Sequence, residues 1–132
     1  MIINIHPDKQ KAKSLKDMAQ ITLLRLKETD IEKYPTNTLT DYYDIIRKLM
    51  ESLTSTEGIK IKGEGAHKNI IDYICKQYNL MEIDRQFIQE LRDYRNRISY
   101  EGFMIKQSYI KLNHQKIEQI INKLLELVNK FI

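Results

Sequence analysis

The stretch Leu91–Phe103, which reads LRDYRNRISYEGF, places three arginines, an asparagine, a serine and two tyrosines near the end of one predicted helix. We interpret the rest of the chain as a scaffold for it. At 100° per residue, Arg92, Asn96 and Ser99 lie together on one face, and Arg95 lies between this face and an apolar arc. The arc spans roughly 80° and holds Ile83, Phe87, Leu91, Tyr94 and Ile98. We therefore expect the stem of Arg95 to rest on a core or an interface while its guanidinium points into a cleft.

Length and composition favour a single all-α domain over residues 1–132, because hydrophobic residues make up 42% of the chain, charged residues 30%, and glycine and proline are scarce. The net charge of +4 permits a polyanionic partner without establishing one. The single cysteine, Cys75, excludes an intrachain disulfide and is expected to be a buried small residue. The chain contains no run of about 18 apolar residues, so no membrane span is predicted. The N-terminus lacks the features of a secretory signal. A cytoplasmic location is expected.

Hydrophobic periodicity predicts five helices. Pro35 disfavours helical geometry at Tyr34 and is expected to interrupt the helical pattern there. Thr38-x-x-Asp41 resembles a capping box that opens the second helix. Thr56–Gly65 holds three of the four glycines and is predicted to be a loop with a functional role, while Gly102 is placed to end the fourth helix. Modest loops between the helices favour a five-helix up-and-down bundle. The expected bounds are about Asp8–Thr29, Thr38–Ser55, Ala66–Tyr78, Asp84–Tyr100 or Glu101, and Ser108–Ile132.

Arg95 is the strongest candidate for binding a ligand, because a guanidinium donates paired hydrogen bonds to phosphate and stays charged at physiological pH. Asn96 beside it could orient a reacting group or a base. The competing interpretation is that the arginines of this helix are solvated or paired with nearby acids. Both interpretations stay open for Arg92, Arg95 and Arg97, with Glu90, Asp93 and Glu101 as the acids.

Tyr100 can donate or accept a hydrogen bond but is a poor general base, and it points about 140° away from Arg95 on a regular helix. The two side chains converge only if the helix unwinds near Gly102 or if two copies meet across a two-fold axis. His67 opens the third helix directly after the glycine loop. No histidine has metal-ligand spacing, so no metal site is predicted, and no sequence motif for a cofactor is present.

The run Arg95-Asn96-Arg97-Ile98-Ser99-Tyr100 resembles the Arg-Asn-x-x-x-His signature of HEPN domains, which lies late in the fourth major helix. The order of helices is similar over nearly the whole chain. The resemblance implies a dimeric α-helical bundle with a shared, positively charged cleft. Arg95 would hold the scissile phosphate, Asn96 would support catalysis, and Tyr100 occupies the position of the histidine that assists attack by the ribose 2′-hydroxyl. Losing that imidazole removes a proton-transfer group worth about 10²- to 10⁴-fold in rate.

Active members of the family are metal-independent endoribonucleases, often toxins paired with a nucleotidyltransferase antitoxin. The resemblance therefore supports a homodimer that binds RNA or a nucleotide in a toxin–antitoxin or defence setting, and it supports binding better than cleavage. Arg95, Asn96 and Tyr100 are the catalytic candidates. The alternative is a non-enzymatic helical module that docks a nucleotidyltransferase or another protein. The further candidates for contacting nucleic acid are Arg92, Arg97, Ser99 and His67.

Overall fold

A computed structural model describes all residues, Met1–Ile132, and confirms the all-α class with five helices. A short two-stranded sheet is added to them. The elements in chain order are β1 (Ile2–Asn4), α1 (Lys9–Lys27), α2 (Pro35–Glu57), β2 (Ile59–Ile61), α3 (Ala66–Gln77), α4 (Glu82–Glu101) and α5 (Gln107–Phe131).

Helix α2 is the centre of the molecule, because each of the other four helices packs against it. It buries residues around almost its whole circumference, including Tyr42 and Tyr43, which are each 1% exposed. A helix that buries residues on most of its sides needs neighbouring segments to cover each of those sides. Helices α1, α3 and α5 supply amphipathic faces for this purpose, and the five residues predicted to face inward from α1 are all buried: Ala12, Leu15, Ala19, Leu23 and Leu26.

The predicted start of α2 was wrong. The helix begins at Pro35, with Tyr34 as its N-cap, rather than at Thr38. Proline is tolerated in the first turn, where its missing N–H would have no helical partner. The Thr38 hydroxyl donates to the carbonyl of Ile31 at 2.9 Å, and Asp41 accepts from Arg25 at 2.9 Å. These two side chains therefore join neighbouring segments and do not form a capping box.

The predicted glycine loop is also shorter than expected. Its first two residues belong to α2, and Ile59–Ile61 forms β2, which pairs antiparallel with β1. Gly58 ends α2 at a φ of +75°, and a Cβ there would lie 2.8 Å from the carbonyl oxygen of Ile5. Only glycine fits here, because the turn after α2 passes so close to the N-terminal segment that a side chain would collide with it. The strands were missed because three residues are too few to show alternation.

The inward face of α4 differs from the predicted arc. The buried residues are Asp84, Ile88 and Leu91, whereas Ile83 is 58% exposed. The face of α4 that turns inward is thus rotated by about 60° around the helix axis from the predicted face. Arg95, four residues after Leu91, lies on this inward face of the helix. The C-terminal cap at Gly102, with a φ of +67°, is as predicted.

Candidate functional site

Arg95 is the only one of the six arginines that forms no ion pair; the other five pair with acidic side chains, and they are Arg25, Arg47, Arg85, Arg92 and Arg97. It is also partly buried, because it extends the inward line of α4. A guanidinium taken partly out of water without a counter-charge is unfavourable unless an anion completes its environment. Arg95 can therefore donate hydrogen bonds to an anion without breaking an ion pair.

Tyr43 on α2 places a hydroxyl near the same guanidinium. The side chain is 1% exposed, and its hydroxyl has no hydrogen-bond partner. Burial raises the pKa of Tyr43, while the positive charges of Arg47, Arg92 and Arg95 act in the opposite direction. The net shift is upward, so the phenol keeps its proton at neutral pH and is available as a hydrogen-bond donor. The hydroxyl can therefore donate to a ligand without giving up a hydrogen bond inside the chain.

Arg47 lies one turn after Tyr43 on α2 and brings a second guanidinium to the site. Its side chain is 24% exposed and lies 3.3 Å from Asp44 and 3.6 Å from Glu51. These two acids partly compensate its charge, but the buried Nε makes no hydrogen bond. The guanidinium is therefore held by Asp44 and Glu51, on the side of the helix that carries Tyr43.

Arg92 supplies the third guanidinium, one turn before Arg95. Its Nε donates to Gln89 at 2.8 Å and its terminal nitrogen donates to Asp93 at 2.9 Å. These bonds fix the side chain while leaving it cationic. We call Arg47, Arg92 and Arg95, whose positive charges all act on Tyr43, the arginine cluster.

His67, the second residue of α3, lies within the electrostatic influence of the arginine cluster. Burial lowers the pKa of its imidazole, the charge of Arg47 lowers it further, and Glu51 acts in the opposite direction. Arg95 and Arg92 add smaller effects of the same sign as Arg47. His67 is therefore neutral at pH 7.

A cleft of about 310 Å³ adjoins the site, and His67 lies on its wall. The wall is formed by α1, α2, β2 and the start of α3. Two lysines, Lys11 and Lys60, add positive charge to it, and Glu51 is its only acid. The cleft thus extends the positive surface from the arginine cluster toward the sheet.

The remaining candidate residues lie elsewhere. Asn96 is partly buried and Ser99 is exposed. Arg97 lies with its Cζ 4.0 Å from the centre of the Phe103 ring and its Nε 3.8 Å from Glu101, so it belongs to the opposite side of α4. Arg92 and Arg97 are therefore paired with acidic side chains, whereas Arg95 is not.

Tyr100 is 81% exposed, and α4 stays helical through Glu101. Within one chain, the helix does not unwind to bring this phenol to Arg95. Its contact with the site would require a second copy of the chain, which is the other arrangement that the sequence left open.

Sequence reasoning missed Tyr43, Arg47 and Glu51. The available signal was their spacing, since residues 43, 47 and 51 recur at i, i+4 and i+8 and therefore lie on one side of α2. No group of three or more His, Cys, Asp or Glu side chains is close enough to hold a metal ion. Cys75 is 3% exposed, and burial raises the pKa of its thiol to about 11, which makes it unreactive as predicted.

No helix combines the length and the apolar content needed to cross a bilayer. Comparisons with family models, with curated proteins and with solved structures found no match to the chain.

Proposed function

We propose that the chain is an HEPN-type module that binds RNA or a nucleotide by a phosphate group at the arginine cluster. The proposal rests on two hydrogen-bond donors that have no partner within the chain. Arg95 has no acidic partner, and the buried Tyr43 hydroxyl has no hydrogen-bond partner. A phosphate oxygen accepts hydrogen bonds from both groups, and its charge compensates the guanidinium.

The surroundings of the cluster favour a chain of phosphates over a single small anion. Lys11 and Lys60 continue the positive surface along the cleft. A polyanionic strand gains from such an extended row of cations, because each contact releases bound counterions. The five-helix order and the position of Arg95-Asn96 late in the fourth helix support the HEPN-type assignment. Tyr100 points away from the cluster, so binding does not depend on it within one chain.

The salt dependence of RNA binding tests this function. A short single-stranded RNA with a fluorescent label is titrated with protein at several salt concentrations, and anisotropy gives the dissociation constant. With one phosphate at the arginine cluster and one at each cleft lysine, the logarithm of the association constant should fall against that of salt with a slope of about −2. Absence of binding at low salt would rule the function out, and so would an affinity that salt does not change.

A second surface of the chain favours a homodimer. A hollow of about 320 Å³ lies between the end of α4 and the start of α5. Leu112 in its wall is 80% exposed, and Met104 in the connection beside it is 76% exposed. Arg97 and Glu101 lie on the same side of α4 as this hollow. Opposite charges one turn apart suit a two-fold interface, since each can face the oppositely charged residue of a second copy.

The substitution Leu112→Glu tests the dimer. We expect the wild-type chain to sediment at twice the 15.8 kDa of one chain and the variant to sediment as a monomer, because a carboxylate would be buried in an apolar contact. Leu24→Glu is the matched control, since Leu24 is 60% exposed on α1, a helix that does not contribute to this hollow. A monomeric wild-type chain, or an equal effect of both variants, would contradict the proposed interface.

A further inference from the structure

The cleft between the sheet, α1, α2 and the start of α3 is apolar over much of its wall. Pockets that hold small molecules measure roughly 300–1,000 Å³, so a cleft of about 310 Å³ has room for one planar ring system. A phosphate gains nothing from apolar walls, whereas the faces of a nucleobase do. The apolar residues of the wall are Ile5, Ile59, Ile61, Ala66 and Ile70.

The polar side chains of the same wall suit the rest of a nucleotide strand. His67 brings an imidazole, whose ring offers an aromatic face on which a base stacks. Lys11 and Lys60 bring positive charge for the phosphates that adjoin such a base. The wall therefore combines the contacts that proteins make with single-stranded nucleic acid when one base leaves the stack.

Glu51 is the only acid in this wall. A carboxylate close to phosphates is unfavourable, because like charges repel, unless it accepts hydrogen bonds from the ligand. Its Oε1 lies 3.6 Å from Nε of Arg47, which is longer than a hydrogen bond, and its side chain is 40% exposed. Both carboxylate oxygens can therefore accept from a ligand. Because Arg47 belongs to the arginine cluster, Glu51 also connects the cleft to the proposed phosphate site.

Guanine is the base whose edge matches a carboxylate. Its N1–H and N2–H₂ groups are adjacent donors that point in the same direction, so the two carboxylate oxygens accept from both. Adenine and cytosine each carry their amino group beside a ring nitrogen that is an acceptor, and uracil carries its N3–H between two carbonyls. These neighbouring acceptors repel the second carboxylate oxygen.

We propose that the cleft binds one unstacked guanine of a single-stranded RNA and that Glu51 selects it by accepting hydrogen bonds from N1–H and N2–H₂. The inference rests on the proposed function, because a phosphate of the same strand occupies the arginine cluster. Glu51 determines which base is bound, while Arg95 and the Tyr43 hydroxyl bind the phosphate.

The test compares short fluorescent oligouridines that differ only at the central position, which carries uracil, adenine, cytosine, guanine or inosine. Anisotropy with the full-length chain at low salt gives the dissociation constants. We expect the guanine strand to bind about 10- to 100-fold more tightly than the uracil strand, as for one bidentate contact to a base. The inosine strand, which lacks only the amino group of guanine, should bind with intermediate affinity.

Glu51→Gln is expected to remove the preference for guanine, because the amide of glutamine presents a donor to one of the two guanine donors. The readout is the ratio of the affinities for the guanine and uracil strands, since the substitution also changes the net charge. Glu126→Gln is the matched control. It makes the same change of charge at a separate hollow beside Tyr78 and should keep the wild-type ratio.

Equal binding of all strands by the wild-type chain overturns the guanine site and leaves the phosphate contact in place, as does a preference for another base. Equal binding of the guanine and inosine strands also overturns it. A guanine preference that persists in Glu51→Gln overturns the role of Glu51. If that variant binds no strand, its fold is lost and the wild-type comparison of guanine with inosine decides. Failure of the wild-type chain to bind any strand overturns the proposed function itself.

Discussion

Replacing Arg95 with alanine is expected to weaken binding of single-stranded RNA by about 10- to 100-fold, because hydrogen bonds to a charged group contribute roughly 1.5–3 kcal/mol. The same substitution should leave the folded state as stable as wild type or slightly more stable. It removes a partly buried charge that has no partner in the free protein. Anisotropy gives the affinity, and urea denaturation gives the free energy of unfolding.

Arg25→Ala is the matched control, since it removes one positive charge from an exposed arginine that pairs with Asp41 on another face. Its effect on affinity should stay within about threefold, as expected for a charge distant from the bound phosphate. Equal losses in the two variants would mean that net charge, rather than the arginine cluster, determines binding. A strongly destabilised Arg95→Ala variant would mean that Arg95 has a structural role.

Replacing Asp84 with asparagine is expected to lower the free energy of unfolding by about 3 kcal/mol. Asp84 is 2% exposed in the first turn of α4, and its two oxygens lie 3.3 Å from Lys116 and 2.9 Å from Lys123 of α5. Without the carboxylate, the two ammonium groups face each other across the junction of α4 and α5. Both lysines are partly exposed and regain some hydration, which places the effect at the low end of the range for broken buried pairs.

The pH dependence of this effect has a defined sign. Burial raises the pKa of Asp84, but hydrogen bonds from Lys123 and Lys116 outweigh it, so the pKa is lowered in the folded chain. The carboxylate therefore stabilises the fold above its unfolded pKa of about 3.9, and this stabilisation disappears as the pH falls through the folded value. The difference between wild type and Asp84→Asn should shrink in acid.

Urea denaturation at pH 7 and at low pH measures both effects. Asp17→Asn is the control, because Asp17 forms an exposed pair with Lys13 and should change stability by no more than about 0.5 kcal/mol. A loss below 1 kcal/mol for Asp84→Asn at pH 7 would show that the ion pairs do not hold α4 against α5.

Much of the fold could be predicted from periodicity, because α1, α3 and α5 each have one apolar face. The face of α4 could not be predicted in this way. Ile83 suggested an inward position but is exposed, and Asp84 suggested an outward position but is buried by two lysines from a helix more than 20 residues away. Ion pairs between distant segments leave no periodic signal, so the predicted arc was rotated from the true one.

The candidate site was predictable only in part. Arg95 and His67 were recognisable from the sequence, since one begins a signature-like run and the other follows a glycine loop. Tyr43 and Arg47 were not, because their role depends on three helices converging on one opening. Tyr43 looked like an ordinary core tyrosine, and only the structure shows that its buried hydroxyl lacks a partner.

The most direct test of an RNA phosphate bound at the arginine cluster is an NMR titration of the ¹⁵N-labelled chain, followed on the arginine Nε–H signals. A short single-stranded RNA whose 2′-hydroxyls are methylated, and which therefore cannot cleave itself, is the ligand. We expect saturable shifts for Arg47, Arg92 and Arg95, with Arg25 and Arg85 unchanged. Shifts confined to other arginines, or no shift at the cluster when RNA is in excess at low salt, would contradict it.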